Sequence, residues 1–231
     1  MDFIFSLNTE LHNPFREAPI KNAVSMLERD MHKCLTNAVG PRNAITLVKD
    51  GQMAEESYQV AVADESRMTV TAGDDLGFVY GLLSISERYL GIKPFWFWLD
   101  QQIPVPGSVA IPVGTYAAPV PAVRYRGWFL NDEVLLIHWK NGKPEDFPWR
   151  MAFEALLRCG GNMVIPGTDK NSRLNANLAS EYGLWLTHHH AEPLGAEIFA
   201  RAYPDLMPSY SKNQECFHKL WEEAVLRQKD Q

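Results

Sequence analysis

Apolar residues recur at helical spacing in two stretches of the first part of the chain. Over residues 18–36 they fall three and four positions apart, which predicts an amphipathic helix. A second helix is predicted to begin after Asp74 or Asp75, either of which can serve as its N-cap. Alternating apolar and polar positions between the helices predict three short strands, at residues 44–48, 58–62 and 68–72. We therefore expect an α+β domain over residues 1–106.

The pattern changes after a stretch rich in proline, glycine and alanine, residues 107–123, which predicts a linker. From residue 124 onward, strands and helices alternate along the chain, which predicts a parallel sheet and an α/β domain over residues 124–231. A strand follows Val123, and further elements are predicted as helix 152–157, strand 162–166, helix 174–182 and strand 184–187. The last helix, 216–231, is expected to cover the sheet.

Composition narrows the function classes. The formal net charge is −6, and lysine and arginine are scattered without a basic run, so we expect neither a nucleic-acid nor a membrane partner. The first residues lack the features of a secretory signal, and the three cysteines are widely spaced, so we expect a reducing, cytoplasmic setting. The sequence has no glycine-rich phosphate loop, nucleophile-elbow serine or paired cysteine motif, which argues against nucleotide, acyl-transfer and redox chemistry.

Two acids follow the first strand of the second part. The strand delivers Asn131, Asp132 and Glu133 at its carboxyl end, where barrel enzymes collect their catalytic groups. Asp132 and Glu133 are therefore the candidate catalytic residues, with Asn131 in support. Neighbouring residues on a strand point to opposite faces, so we do not expect these two acids to form the catalytic pair by themselves. Solvated acids at a strand end are the alternative.

A run of three histidines follows the third strand of this part. If the strand continues, His188, His190 and Glu192 share one face and His189 takes the other. Such a group could orient a sugar hydroxyl, bind a substrate carboxylate, or hold a metal ion. The loop 168–171 follows the second strand and should project from the same rim, either towards substrate or as an ordinary polar loop.

Several of these segments carry a family resemblance. Residues 56–60, 70–73 and 77–83 are similar to the small α+β domain that precedes the barrel in β-hexosaminidases and α-glucuronidases. The aromatic run 94–100, and above all Arg126-Gly127-Trp128-Phe129-Leu130-Asn131-Asp132-Glu133, resemble glycoside hydrolase family 115, the xylan α-glucuronidases. That family carries two histidines before a Glu-Pro pair, whereas this chain keeps His190 and has Ala191 in the second position.

The resemblance implies hydrolytic removal of glucuronic acid side chains from xylan or related acidic glycans, with no organic cofactor and no metal. It places Asp132 and His190 in the pocket, with Asn131, Glu133 and Glu192 in support, and a second catalytic carboxylate on a later strand. His188 is a further candidate for substrate binding. It implies that residues 124–231 form about three βα units of a (β/α)8 barrel. A full barrel takes about 250 residues, so we expect an incomplete barrel and a chain with part of a site.

Further groups suit an acidic sugar. Glucuronate needs a nearby cation, for which Arg126, Lys140 and Lys170 are available. Tryptophans offer stacking surfaces for sugar rings, although most large aromatics belong to cores. The candidates are Trp96, Trp98, Trp128, Trp139 and Trp149.

Two other functions fit the same residues. One is a non-catalytic carbohydrate-binding or assembly module. The other is a metal-dependent hydrolase that uses His188, His190 and Glu192. The third strand would also present an unpaired edge unless a homo-oligomer or a rearrangement covers it.

Overall fold

The computed structural model describes residues 1–136, 138–139 and 142–229, which form a mixed α/β structure. The chain divides into two compact units. The first consists of Met1–Arg126, Glu154–Asn162 and Glu181–Gly183, and the second contains Gly127–Phe153, Met163–Ser180 and the residues from Leu184 onward. Within the described residues, no helix has the length and apolarity needed to cross a bilayer.

The first unit is built on a five-stranded mixed sheet in the order β2-β3-β5-β4-β7, and β1 pairs with β6 separately. Its strands are β1 (Phe3–Phe5), β2 (Thr9–His12), β3 (Asn43–Lys49), β4 (Tyr58–Asp64), β5 (Arg67–Ala72), β6 (Val109–Ile111) and β7 (Gly114–Ala117). Its helices are α1 (Ala18–Cys34) and α2 (Asp75–Ile85), the second continued by a π-helical turn, Ser86–Leu90. Alternate residues of β3 and β5 are buried, as the sequence pattern predicts.

The ends of α2 follow from local chemistry. The carboxylate of Asp74 caps the helix by accepting a hydrogen bond from the backbone N–H of Gly77 at 2.8 Å. Gly91 closes the π-helical turn with a φ of 73°, a left-handed conformation that glycine adopts without a steric penalty. Both signals are visible in the sequence, and the prediction of a helix between these residues is confirmed.

The segment expected to be a linker, 107–123, contains strands β6 and β7. β7 pairs with β4 in the main sheet, and β6 pairs with β1. The first unit therefore continues to Arg126 instead of ending at residue 106. β1, β2, β6 and β7 have only three or four residues each, too few for an alternating pattern to stand out in the sequence.

A cluster of buried charges lies in the first unit. The carboxylate of Glu154 accepts hydrogen bonds from Arg29, from Nε of Arg158 at 2.9 Å and from the indole N–H of Trp96 at 2.9 Å. Asp30 pairs with the same two arginines. Because each carboxylate has two arginine partners, these buried charges are compensated. Trp96 belongs to this network, as expected for a core aromatic.

The second unit contains a three-stranded parallel sheet in the order β10-β9-β8. Its strands are β8 (Gly127–Phe129), β9 (Met163–Ile165) and β10 (Trp185–Leu186). The helices from this part of the chain are α3 (Asp132–Leu135), α4 (Phe147–Arg158), α5 (Lys170–Glu181), a 3₁₀ turn (Pro193–Gly195), α6 (Phe199–Ala202) and α7 (Gln214–Gln228). The predicted alternation of strand and helix is present, with strands shorter than expected.

Helix α7 differs from the sequence-based expectation in what it covers. Its buried residues Leu220 and Ala224 pack against Ala196 and Phe199, in and beside the short helical segments that precede it. Phe199 and Phe217 stack with ring centroids 4.2 Å apart. Leu220 and Ala224 of α7 are therefore buried in this small cluster, which also holds α6 in position.

Candidate functional site

The candidate site is built where β8 and β9 end. The two strands are parallel, so their carboxyl ends lie at the same edge of the sheet. The chain leaves β8 through Asn131 and enters α3 at Asp132. It leaves β9 through a loop that contains Thr168 and enters α5 at Lys170. The residues after both strands are polar, as the sequence analysis predicted.

Asp132 is fully buried and joins these two loops. One carboxylate oxygen accepts a hydrogen bond from the backbone N–H of Thr168 at 2.7 Å, and the other accepts one from the side-chain amide of Asn171. Gly167 leaves room for this contact, because a Cβ there would stand 3.1 Å from the carboxylate. The environment of Asp132 thus differs from the solvated strand end considered from the sequence.

A cleft of about 620 Å³ lies beside this junction. Carboxylates, cations and aromatic rings all contribute to its lining, among them Asp132, Glu133, Trp139, Lys170, Asn171 and Arg201. Glu133 is exposed in the first turn of α3. The structure therefore brings together the two predicted acids and the predicted cation Lys170. Lys140, the other predicted cation of this unit, lies outside the described residues.

The two tryptophans of the cleft differ in their surroundings. Trp149 is buried and donates its indole N–H to the backbone carbonyl of Pro166 at 2.9 Å, so it is mainly a core residue. Trp139 stacks on Phe147 with ring centroids 5.9 Å apart and an interplanar angle of 22°. Trp139 is the better placed of the two to offer a ring face to a sugar.

An ion-pair cluster that the sequence analysis missed borders the cleft. Asp169, whose φ is 52°, binds Arg173 at 3.0 Å and also binds Arg201. Burial alone would raise the pKa of Asp169, but the hydrogen bonds and charges of Arg201 and Arg173 hold that pKa below its ordinary value. Arg201 lies on α6, more than thirty positions along the chain, so no local sequence pattern links it to Asp169.

The three histidines lie outside a strand, because β10 ends at Leu186. The predicted sharing of one face by His188, His190 and Glu192 is therefore wrong: it required the strand to continue. His188 lies against Gly195 and Gln228 in a separate small cavity. His189, expected to point away from the group, packs between the rings of Phe129 and His190.

The environment of His188 disfavours its charged form. Burial lowers the pKa of His188, and the positive charge of Arg227 lowers it further, while a hydrogen bond with Gln228 acts in the opposite direction. A neutral imidazole in a small cavity does not suit the binding of a substrate carboxylate. The roles proposed for His188 and His190 from the sequence stay predictions.

Glu192 is 2% exposed, and its Oε2 has no hydrogen-bond partner among the described residues. Burial raises the pKa of Glu192, and the negative charge of Asp169 adds to the shift. The backbone N–H of Asp169 and the charges of Arg173 and Arg201 oppose it. Glu192 thus belongs to the surroundings of the Asp169 cluster, and neither it, His190 nor Asn131 is among the described residues that line the cleft.

Arg126 belongs to the first unit and is committed to contacts there. Its guanidinium donates to the carbonyls of Val123, Arg124 and Gly160, to the carboxylate of Glu56 and to the hydroxyl of Tyr80. These five contacts use all five N–H donors of the side chain. Arg126 therefore stabilises the end of the first unit, and its binding of substrate stays a prediction.

Metal ligation finds no support in this geometry. Among the residues that the structure describes, no group of three or more histidine, cysteine, aspartate or glutamate side chains could hold a metal ion. This includes the set His188, His190 and Glu192, which the broken strand separates.

Comparison with known families finds a match over the part of the chain that carries the cleft. The model of glycosyl hydrolase family 115 matches residues 119–231. This part of the chain is similar to glycosyl hydrolase family 115. The family resemblance predicted from the sequence is confirmed. No curated protein matches the sequence.

Solved structures extend the similarity to both units. A family 115 4-O-methyl-α-glucuronidase, BtGH115A, with specificity for decorated arabinogalactans, matches 97% of this chain and 34% of its own at a TM-score of 0.78 and 22% identity. An exo-β-N-acetylglucosaminidase of family 20 from Vibrio harveyi matches 90% of this chain and 37% of its own, at a TM-score of 0.56 and 13% identity. A β-N-acetylhexosaminidase from Bacteroides fragilis matches 98% of this chain and 52% of its own, at a TM-score of 0.56 and 14% identity.

At these identities the structures show a shared fold. This chain spans about a third of the length of the family 115 structure that it matches. The lineage is that of a glycoside hydrolase.

Proposed function

We propose that this protein acts in the recognition and hydrolysis of glucuronic acid side chains on xylan or a related acidic glycan. The observation that carries the proposal is the cleft at the carboxyl ends of β8 and β9, which combines Glu133 with Lys170, Arg201 and Trp139. A carboxylate for proton transfer, cations for an acidic sugar and an aromatic ring face are the groups that this reaction needs. No organic cofactor takes part in it.

The sheet of the second unit supports a barrel context for this cleft. Three parallel strands in consecutive order, with helices between them, are the arrangement of successive βα units, and active sites of such barrels lie at the carboxyl ends of the strands. We propose that β8, β9 and β10 are the first strands of a (β/α)8 barrel. The second catalytic carboxylate would then come from a later strand.

The two acids take different roles in this proposal. Glu133 is exposed and lines the cleft, so it is the carboxylate that can reach a glycosidic oxygen or a water molecule. Asp132 is buried, and both of its oxygens accept hydrogen bonds. Asp132 therefore positions Thr168 and Asn171 at the cleft and acts on substrate only through them.

The solved relative suggests a second glycan to test. BtGH115A is a 4-O-methyl-α-glucuronidase with specificity for decorated arabinogalactans. Arabinogalactan carrying glucuronic acid is therefore a substrate to test beside glucuronoxylan. Both present a uronic acid side chain, which is the feature that the cations of the cleft suit.

Release of glucuronic acid or 4-O-methylglucuronic acid from both glycans tests the proposal. We expect release by the wild-type protein and loss of it in Glu133→Gln, which keeps the side-chain shape and removes proton transfer. The matched control is Glu222→Gln, an exposed acid on α7 that should leave release unchanged. Unchanged release by Glu133→Gln would remove Glu133 from the mechanism.

Binding without cleavage is the second candidate function. It is favoured by the full burial of Asp132, whose carboxylate is held by Thr168 and Asn171 instead of facing substrate. Saturable binding of acidic oligosaccharides with no released sugar would establish it. The absence of both binding and release would contradict the two functions together.

A further inference from the structure

We propose that Arg201 is the residue by which the cleft distinguishes an acidic sugar from a neutral one. The inference rests on the proposed function and assigns the recognition of the sugar carboxylate to one side chain. Arg201 lines the cleft together with Glu133 and Lys170. It was not a candidate from the sequence, in which Arg126, Lys140 and Lys170 were the available cations.

The guanidinium of Arg201 is anchored on one side only. In the part of the chain that the structure describes, its hydrogen-bond partner is the carboxylate of Asp169, which its Nη1 contacts. The side chain is 52% exposed, whereas that of Asp169 is 8% exposed. A guanidinium carries five N–H donors, so several remain for a ligand. Because Asp169 holds the guanidinium at Nη1, the remaining N–H groups are preorganised to bind a second, planar anion such as a carboxylate.

The charge balance of the cluster leaves room for that anion. Two arginines, Arg173 and Arg201, share the single carboxylate of Asp169, so these three groups carry one excess positive charge. Glu192 lies close enough to act on Arg201, but its burial favours the neutral form. Glu133 also acts on Arg201 from the cleft side, where it is exposed to solvent. A uronate carboxylate would supply the missing negative charge.

The backbone holds this arrangement in place. Asp169 occupies a left-handed conformation immediately before α5, and the backbone N–H groups of the same loop hold Asp132 and Glu192. Arg201 in turn is held by α6, which is packed through Phe199 against α7. Both partners of the ion pair therefore stand on fixed segments.

Lys170 lines the same cleft but is less suited to this role. Its ammonium is a point charge on a flexible stem and attracts any anion without regard to shape. Arg201 presents a planar fork that matches a carboxylate, and Asp169 restricts its motion. We assign the general attraction of anions to Lys170 and the discrimination between acidic and neutral sugars to Arg201.

The test is a calorimetric titration of the full chain with three related sugars. These are methyl α-D-glucopyranosiduronic acid, its methyl ester and methyl α-D-glucopyranoside. Wild-type protein should bind the acid and bind the ester and the glucoside roughly 10- to 100-fold more weakly, because each lacks a charge-assisted hydrogen bond. This comparison needs no variant, so a folding defect cannot obscure it.

Variants then assign the effect to one residue. Arg201→Gln should bind the acid roughly 10- to 100-fold more weakly and leave binding of the glucoside unchanged. Arg201→Lys should retain part of the preference, since it keeps the charge and loses the fork. Arg67→Gln is the control: it removes an exposed arginine of the first unit that pairs with Asp64, and it should keep the preference.

Each outcome decides a separate point. If the acid is not bound at all, the proposed function and this inference both fail. If the acid is bound and Arg201→Gln keeps the wild-type preference for it over the glucoside, the inference alone is overturned. Loss of binding to all three sugars in Arg201→Gln would show a structural role and would also overturn it.

Discussion

The carboxylate of Asp132 accepts a hydrogen bond from the backbone N–H of Thr168, 2.7 Å away, and so joins the ends of two neighbouring strands. Both residues are buried. The second oxygen of the carboxylate holds the side chain of Asn171 at the start of α5. One acid therefore organises the floor of the cleft, which gives it a structural effect that can be measured apart from any activity.

Replacing Asp132 with alanine should destabilise the second unit. The buried N–H of Thr168 would lose its acceptor, and we expect the free energy of unfolding to fall by about 1–3 kcal/mol. Asp132→Asn keeps an acceptor for Thr168 and should lose less. Urea unfolding followed by circular dichroism measures both, with Glu133→Gln as an exposed neighbour expected to change stability by less than about 0.5 kcal/mol. Equal stability of Asp132→Ala and wild type would contradict the role given to Asp132.

The buried charge cluster of the first unit should make stability depend on pH. Burial alone would raise the pKa of Glu154, but Arg29 and Arg158 outweigh it and lower the pKa to about 2. An acid whose pKa is lowered on folding contributes stability above its unfolded pKa, near 4.5, and loses it as the pH falls towards 2. The contribution at neutral pH is roughly 3 kcal/mol.

Glu154→Gln tests this dependence. Its free energy of unfolding should lie below the wild-type value by roughly 3 kcal/mol at pH 7, because the buried Arg158 and the half-buried Arg29 lose a charged partner. The difference should shrink as the pH is lowered from 4.5 to 2. Glu28→Gln, an exposed change on α1, should show no such convergence. A difference between wild type and Glu154→Gln that stays constant over this pH range would be inconsistent with the lowered pKa.

The edge of the parallel sheet should govern self-association. Within the described residues β10 pairs only with β9, and Trp185 on this strand is 57% exposed. An apolar edge strand tends to pair with another chain, and lysine on such an edge opposes the pairing. Light scattering after size exclusion should show mass increasing with concentration for wild type and less so for Trp185→Lys. Val225→Lys, which changes an exposed apolar residue on α7, should behave as wild type. An equal effect of Trp185→Lys and Val225→Lys would indicate nonspecific hydrophobic association instead of edge pairing.

The sequence predicts the long helices and strands well because their apolar residues recur at regular spacing. α1 and α2 were predicted from apolar spacing, and the cap Asp74 and the stop Gly91 were both visible. Strands β1, β2, β6 and β7 were missed, since their three or four residues are too few to show alternation. Their partners come from distant parts of the chain, as in the pairing of β1 with β6.

The candidate site was predictable only where a local rule applies. Acids that follow a parallel strand belong at its rim, and this rule placed Asp132 and Glu133 together at the cleft. The rule says nothing of burial, so the hydrogen bonds of Asp132 were not foreseen. Arg201 reaches the cleft through the tertiary packing of α6, which the spacing of residues along the sequence does not predict. The histidine run was misread because β10 ends two residues before His188.

Binding of a decorated oligosaccharide would show whether the cleft recognises a uronic acid side chain. Xylotriose that carries one glucuronic acid side chain is titrated into the full chain by calorimetry, with unmodified xylotriose as the reference. We expect saturable binding of the decorated sugar and much weaker binding of the reference. Trp139→Ala, which removes an aromatic ring from the cleft, should weaken binding of the decorated sugar. Equal binding of the two sugars, or no binding of either, would contradict this recognition.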